Sequence, residues 1–271
     1  MRRAYRLAQA LSLDVALGGL ASGCLAAYHF GVNMPLAWFW VLPAAIWVMY
    51  TSDHLLDAWR LKATANTYRH QMHVRYFGPL AGLTAGLALL TLGLALAFLG
   101  RPVVLFGLGV ACASGLHFLL VALTAGKIRG WHTKELAVGA IFTAGVWGPP
   151  WVVADMPVAG LGAVFQFFGL AMVNLLVFAL YEKEADAAAG HPNLALSWGV
   201  RTVQRLAAAI ALGIGAGIVA SPLQPVQWIF GAMLAGLMWV AVDTRRFEAD
   251  NRYRALGDAV FLFPYLILLW P

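Results

Sequence analysis

The amino-acid sequence predicts an all-α membrane protein, and three observations support this fold class. Hydrophobic residues make up 62% of the 271 positions and charged residues only 11%, compared with roughly 25% charged residues in soluble domains. The mean hydropathy of the chain is +0.76. The apolar residues lie in long runs, and a run of about 20 such residues crosses a bilayer as a helix.

Nine apolar runs are predicted to span the membrane, each bounded by charged residues, Pro or Gly. The first run continues past a candidate cleavage site near Cys24, so we expect it to remain as an uncleaved span. The last run is short and contains Asp258 and Pro264, so a re-entrant or half-buried segment is the alternative to a full span. A single transmembrane domain covering residues 1–271 is predicted. In chain order the spans are 11–30, 36–56, 77–99, 102–124, 135–153, 158–180, 202–220, 226–242 and 255–270.

The basic residues predict the orientation of these spans. Alternate threading places every Lys and Arg except Arg101 on one side, which the positive-inside rule identifies as cytoplasmic. The N-terminus is then inside and the C-terminus outside. The net charge of +6 is explained by this topology, so no nucleic-acid partner is expected. We expect a multi-pass protein of a bacterial inner (plasma) membrane, surrounded by lipid, with its active site on the cytoplasmic side.

A weak internal repeat groups the spans into two halves. Asp53 and Asp57 end the second span, and Glu182 and Asp186 end the sixth span at the same spacing. These two spans lie four helices apart and run in the same direction. The pattern predicts two four-helix halves plus one further helix, with both acidic pairs on one face of the bundle.

The acidic pairs are candidate ligands for Mg²⁺. Residues four apart on a helix project from the same side, so each pair presents two carboxylates together. Acids at the edge of a membrane need a counter-charge or a divalent ion, and Mg²⁺ shares carboxylates with phosphorylated substrates. Lys127, Arg129 and Arg69 are candidates for binding the remaining diphosphate charge. The alternative is that the acids are solvated residues forming surface ion pairs.

Taken together, these residues resemble the UbiA superfamily of intramembrane prenyltransferases, over nearly the whole chain. The resemblance implies nine helices, Mg²⁺, and transfer of an isoprenyl group from its diphosphate to a lipophilic or aromatic acceptor. It also implies that Asp53, Asp57, Glu182 and Asp186 are catalytic, and that these four and Glu184 hold the metal. The matching positions are Asp53, Asp57, Asn66 to His70, Lys127, Arg129, Glu182, Glu184, Asp186 and Gly190.

The chain departs from the family pattern at the start of each acidic motif. Met49-Tyr50 replaces the expected Asn-Asp, and Phe178-Ala179 stands where the second motif should begin with an acid. Two alternatives therefore remain: a membrane terpene cyclase of the same type, and a non-catalytic lipid-binding or assembly protein on the same scaffold.

Several histidines fall in or beside the predicted cytoplasmic loops. The sequence predicts hydrogen-bonded surface residues at these positions, while a transition-metal site or a general base is the alternative. These residues are His54, His70, His73, His132 and His191.

Overall fold

The computed structural model describes residues 2–61, 68–124, 134–189, 193–221, 224–248 and 251–269. Within these ranges the chain forms helices and no strands, so the all-α fold class is confirmed. The helices are α1 (Arg2–Ala10), α2 (Leu13–Phe30), α3 (Trp38–Leu61), α4 (Tyr68–Arg75), α5 (Phe77–Phe98), α6 (Arg101–Thr124), α7 (Lys134–Val153), α8 (Leu161–Ala189), α9 (Leu194–Trp198), α10 (Val200–Ala220), α11 (Pro225–Val242), α12 (Thr244–Glu248), α13 (Arg252–Ala259) and a terminal 3₁₀ helix (Val260–Leu269).

Seven of the described helices are long and apolar enough to cross a membrane, as in a multi-pass membrane protein: α2, α5, α6, α7, α8, α10 and α11. Helix α3 has 24 residues, but its Trp, Tyr and charged side chains lower its hydropathy. The last predicted span consists of α13 followed by the 3₁₀ helix, which contains Pro264. The second and ninth spans, like the orientation, therefore stay predictions.

Helix α8 is the most buried of the seven. It packs against α7, α10 and α11, while α2 packs against α3, α7 and the terminal 3₁₀ helix. Small residues on α2 permit these close approaches: a Cβ atom on Gly18 would lie 2.9 Å from the Cβ of Phe261, and one on Gly23 would lie 2.7 Å from Leu42. Helices α5, α6 and α10 are the least buried of the seven.

An aromatic cluster fills the interior between α7, α8, α11 and the terminal 3₁₀ helix. The ring centroids of Trp147 and Phe167 lie 5.4 Å apart, those of Trp147 and Phe230 5.8 Å, and those of Phe167 and Phe261 5.9 Å. Trp147, Phe167 and Phe230 are fully buried. This dry core leaves the ends of α3 and α8 as the region where charged groups collect.

Candidate functional site

The first acidic pair lies in the last turns of α3. Asp53 and Asp57 are half-buried, whereas His54 between them is buried. One carboxylate oxygen of each acid and a ring nitrogen of His54 lie within 4.8 Å of one another. Such a group of oxygen and nitrogen donors is compatible with a bound cation.

The second acidic pair lies in the last turns of α8 and is held by residues far away in the sequence. Glu182 Oε1 accepts a hydrogen bond from the Tyr253 hydroxyl at 3.1 Å and forms an ion pair with Arg254 at 2.5 Å. Asp186 Oδ2 accepts a hydrogen bond from Asn193 Nδ2 at 2.7 Å. Each acid of this pair therefore has a fixed position.

Helix α13 is attached to α8 by aromatic contacts as well as charge. The rings of Tyr181 and Tyr253 stack with centroids 4.4 Å apart, and the guanidinium of Arg254 lies 5.3 Å from the ring centroid of Phe178. Although burial opposes its charged form, Arg254 has its pKa held above the usual value by the Glu182 carboxylate. Burial, followed by the charge of Glu182, raises the pKa of Tyr253 to about 12.

Arg69 on α4 links the two acidic pairs. Its guanidinium interacts electrostatically with Asp53 on α3, Glu182 on α8 and Asp258 on α13. Burial, together with the nearby positive charge of Arg254, lowers the pKa of Arg69 to about 10. The side chain is still protonated at neutral pH, so two neighbouring cations face this end of the bundle.

Lys134, the first residue of α7, makes a second link. Its ammonium interacts electrostatically with Asp53 and Asp57 on α3, and with Glu135 and Asp186. One cation therefore lies near acids from both motifs. Arg69 and Lys134 each interact electrostatically with one or both acids of each pair, while the joining of the two pairs into one site stays a prediction.

Tyr50 and Phe178 stand where the sequence comparison leads us to expect the first acid of each motif. The Tyr50 side chain lies near Asp14 of α2 and Asp258 of α13. Phe178 packs closely against α13 at Gly257, where an added Cβ atom would lie 2.6 Å from the Phe178 ring. The carboxylates of Asp14 and Asp258 thus lie near Tyr50, although they come from other parts of the chain.

The structure brings together most, but not all, of the predicted site. Asp53, Asp57, Glu182, Asp186 and Arg69 belong to one electrostatic network. Glu184 is exposed on α8, and no described contact joins it to that network. Lys127 and Arg129 lie outside the described residues.

Sequence reasoning missed several members of the network. A lone charge near a helix end carries little sequence signal, and its partners lie far away along the chain. The only available signal was that each falls at the predicted cytoplasmic end of its helix. The missed residues are Asp14, Lys134, Glu135, Arg254 and Asp258.

The prediction of surface histidines is wrong for two positions. His54 is 4% exposed and His73 is fully buried, and their rings lie 5.1 Å apart in an edge-to-face arrangement. His54 Nε2 is 3.1 Å from Ser12 Oγ, and His73 Nδ1 donates to the carbonyl of Arg69 at 2.9 Å. The pair joins α3 to α4 and thereby helps to position Arg69.

The described network contains more carboxyl groups than cationic side chains. Its described members are seven carboxylates and three cations: Asp14, Asp53, Asp57, Glu135, Glu182, Asp186 and Asp258 with Arg69, Lys134 and Arg254. Clustered carboxyl groups are stabilised either by protonation or by a nearby cation. Carboxylate oxygens are the ligands that Mg²⁺ prefers, so this donor set fits the predicted metal.

Comparison with known proteins finds no matching family model, curated protein or solved structure.

Proposed function

We propose that the chain is a UbiA-like, Mg²⁺-dependent intramembrane prenyltransferase, which moves an isoprenyl group from its diphosphate to a lipophilic or aromatic acceptor. The observation that supports this proposal best is the meeting of both acidic pairs around Arg69 and Lys134. Carboxylates for a divalent ion and cations for a diphosphate then lie at the end of an apolar bundle. That combination suits a charged headgroup with a hydrocarbon tail.

Each group in the network has a role in this reaction. Asp53, Asp57 and Asp186 would hold Mg²⁺, which supplies positive charge to the departing diphosphate when it is bound. Arg69 and Lys134 bind the remaining phosphate oxygens, and we expect Lys127 and Arg129 to assist them. The apolar interior keeps bulk water away from the prenyl group while the carbon–oxygen bond to diphosphate breaks.

The central test asks whether the two acidic pairs act as one site. We expect Asp57→Asn and Asp186→Asn each to lower Mg²⁺-dependent binding of geranylgeranyl diphosphate by at least tenfold. The double variant should be little weaker than either single variant, because groups acting as a unit are not additive. Isothermal titration of the purified protein in detergent measures this binding. Glu248→Gln, an exposed acid on α12, is the matched control and should bind normally.

The basic residues provide a second test. Lys134→Ala should weaken binding of geranylgeranyl diphosphate but leave binding of geranylgeraniol nearly unchanged, because only the diphosphate presents charge to the ammonium. If the wild-type protein binds alcohol and diphosphate equally well, with or without Mg²⁺, the transferase proposal is wrong.

One observation favours the non-catalytic alternative. Arg254 and Tyr253 already satisfy Glu182, and an acid engaged in this way is less available to a metal. A lipid-binding protein on the same scaffold would retain such a pair permanently. In that case the same titration would show lipid binding that does not depend on Mg²⁺ or on Asp57.

A further inference from the structure

A small cavity lies inside the bundle next to the charged network. Its volume is about 40 Å³, and α2, α3, α7, α8, α13 and the terminal 3₁₀ helix all contribute to its wall. Most of the wall is apolar, including Val15, Phe142 and Phe261. The polar groups that line it are Tyr50, Asn174 and Asp258.

Asn174 is the polar group whose presence most needs explanation. Its side chain is 7% exposed, and its Oδ1 atom accepts no hydrogen bond from any described residue. An unsatisfied buried acceptor costs about 1–3 kcal/mol, so this atom is expected to have a partner that is not part of the protein. A Cβ atom on Gly257 would lie 2.6 Å from this oxygen, so the glycine lets α13 pass close to Asn174 without displacing it.

The volume of the cavity limits what can occupy it. A water molecule needs about 10–15 Å³ and two to four polar partners, and both conditions are met here. An aromatic ring needs a cavity nearer 150 Å³, which is well above the observed volume. The cavity therefore suits a single small polar group, such as a water molecule or the hydroxyl end of a longer molecule.

The charges nearby favour a neutral hydrogen-bond donor over a metal ion. Asp258 interacts electrostatically with Asp14 and Glu182, and also with Arg69 and Arg254. Two guanidinium groups thus offset most of the negative charge near the cavity, unlike the more acidic surroundings of Lys134. A hydroxyl group could donate to Asn174 Oδ1 or to the Asp258 carboxylate without adding charge.

We propose that this cavity holds the hydroxyl group that captures the isoprenyl cation, and that Asp258 is the catalytic residue accepting its proton. This inference rests on the proposed function, because the cation arises when diphosphate leaves from Arg69, which interacts electrostatically with Asp258, and from Lys134. The carbon–oxygen bond to diphosphate breaks and its electron pair leaves with diphosphate. The hydroxyl oxygen then bonds to the same carbon, and its proton passes to Asp258. Asn174 orients the hydroxyl group, which belongs either to water or to an alcohol acceptor.

Isotope labelling distinguishes the two sources of the hydroxyl group. The wild-type protein is incubated with Mg²⁺ and geranylgeranyl diphosphate in ¹⁸O-water, with and without 1-decanol as a probe alcohol. Capture of water gives ¹⁸O-labelled geranylgeraniol, and capture of the probe gives an unlabelled decyl ether. Either product supports the proposal that the cavity holds the hydroxyl group that captures the cation. Unlabelled geranylgeraniol would show attack at phosphorus, and a hydrocarbon product alone would show that no hydroxyl group is captured. Either of these two results overturns the proposal.

Two variants test the residues directly. Asp258→Asn should lower the single-turnover rate of hydroxyl capture about 100-fold, within the usual contribution of a general base, and should shift the products towards eliminated hydrocarbon. Asn174→Leu should cause the same shift in product ratio with a smaller loss of rate. A purely structural role would lower all products together. Asp155→Asn, an exposed acid between α7 and α8, is the control and should leave rate and products unchanged.

The result can be separated from a failure of the proposed function. Both variants should still bind geranylgeranyl diphosphate with Mg²⁺ within twofold of the wild type, which also shows that they are folded. If the wild type does not bind the diphosphate, the proposed function fails and this inference fails with it. If the wild type binds and reacts but both variants keep its rate and product ratio, only the role of the cavity is wrong.

Discussion

Glu182 and Arg254 show how single residues determine the site. Their ion pair joins helices from distant parts of the chain, and both side chains are largely removed from solvent. A charge in such a position is stabilised by its partner more than by water, and it becomes costly when the partner is lost. The pair therefore positions α13 as well as neutralising an acid of the site.

A double-mutant cycle measures this coupling. Arg254→Gln and Glu182→Gln should each lower the free energy of unfolding by about 1–3 kcal/mol. The double variant should lose clearly less than the sum, because neither partner then remains charged alone. Unfolding by SDS in mixed detergent micelles gives the free energies. Additive losses would contradict a direct interaction.

His73 predicts how stability depends on pH. Burial lowers the pKa of His73, so the unfolded chain binds a proton more readily than the folded chain. The stability contributed by the neutral ring is complete above the unfolded pKa of about 6.5 and is lost as the pH falls below it. We expect the free energy of unfolding to fall between pH 7 and pH 5, by at most ~1.4 kcal/mol per pH unit for one proton. The unfolding temperature should fall with it.

The control for this pH dependence is a histidine substitution. His73→Gln should flatten the profile, while Arg75→Gln, an exposed change on the same helix, should leave the slope unchanged. Thermal unfolding in one detergent across this pH range provides the measurement. An identical slope in His73→Gln would assign the pH dependence to other groups.

At the scale of helices, the apolar runs predict the elements well where apolar packing alone determines them. The predicted span 77–99 corresponds to Phe77–Phe98, and 226–242 corresponds to Pro225–Val242. The span predicted to end at residue 180 continues to Ala189. A hydropathy argument ends a span near its first charges, whereas Arg254 and Asn193 provide partners that let α8 continue through Glu182 and Asp186.

A polar contact inside the bundle holds α8 to α11. Gln166 and Gln227 exchange two side-chain hydrogen bonds of 3.0 and 2.9 Å, and Gln227 is 4% exposed. Gln166→Leu should lower the free energy of unfolding by about 1 kcal/mol, because it leaves the Gln227 amide without this partner. The double leucine variant should recover most of that loss in the same SDS unfolding assay. A double variant that is less stable than the single one would show that the Gln227 amide does not depend on Gln166 for its hydrogen bonds.

At the scale of the whole molecule, the sequence predicts the membrane character and the acidic pairs, but not how the site is completed. Regular spacing reveals Asp53 with Asp57 and Glu182 with Asp186, because each pair lies within one helix. Lys134 interacts electrostatically with Asp53, Asp57 and Asp186 only because tertiary packing brings α7 near α3 and α8. No periodicity indicates such a contact, since it depends on how helices far apart in sequence are arranged.

Cysteine labelling tests the predicted orientation. The native thiols, Cys24 and Cys112, are first replaced by serine. A single cysteine at Ser221, where α10 ends, should then react with a membrane-impermeant maleimide applied from outside intact cells. One at Ala188, near the end of α8, should react only after the cells are opened. The reverse pattern would invert the topology and place the charged network on the outer side.

The attachment of α13 to α8 also affects how the protein is made. Glu182 leaves the ribosome before its partners, and Tyr253 follows 71 residues later. At synthesis rates of about 5–20 residues per second, this interval lasts roughly 4–14 s. During that time the end of α8 lies at the membrane border without its counter-ion. A chain whose translation stops before Arg252 should therefore lack both Tyr253 and Arg254, the partners of Glu182, and should be degraded faster than a chain that contains them.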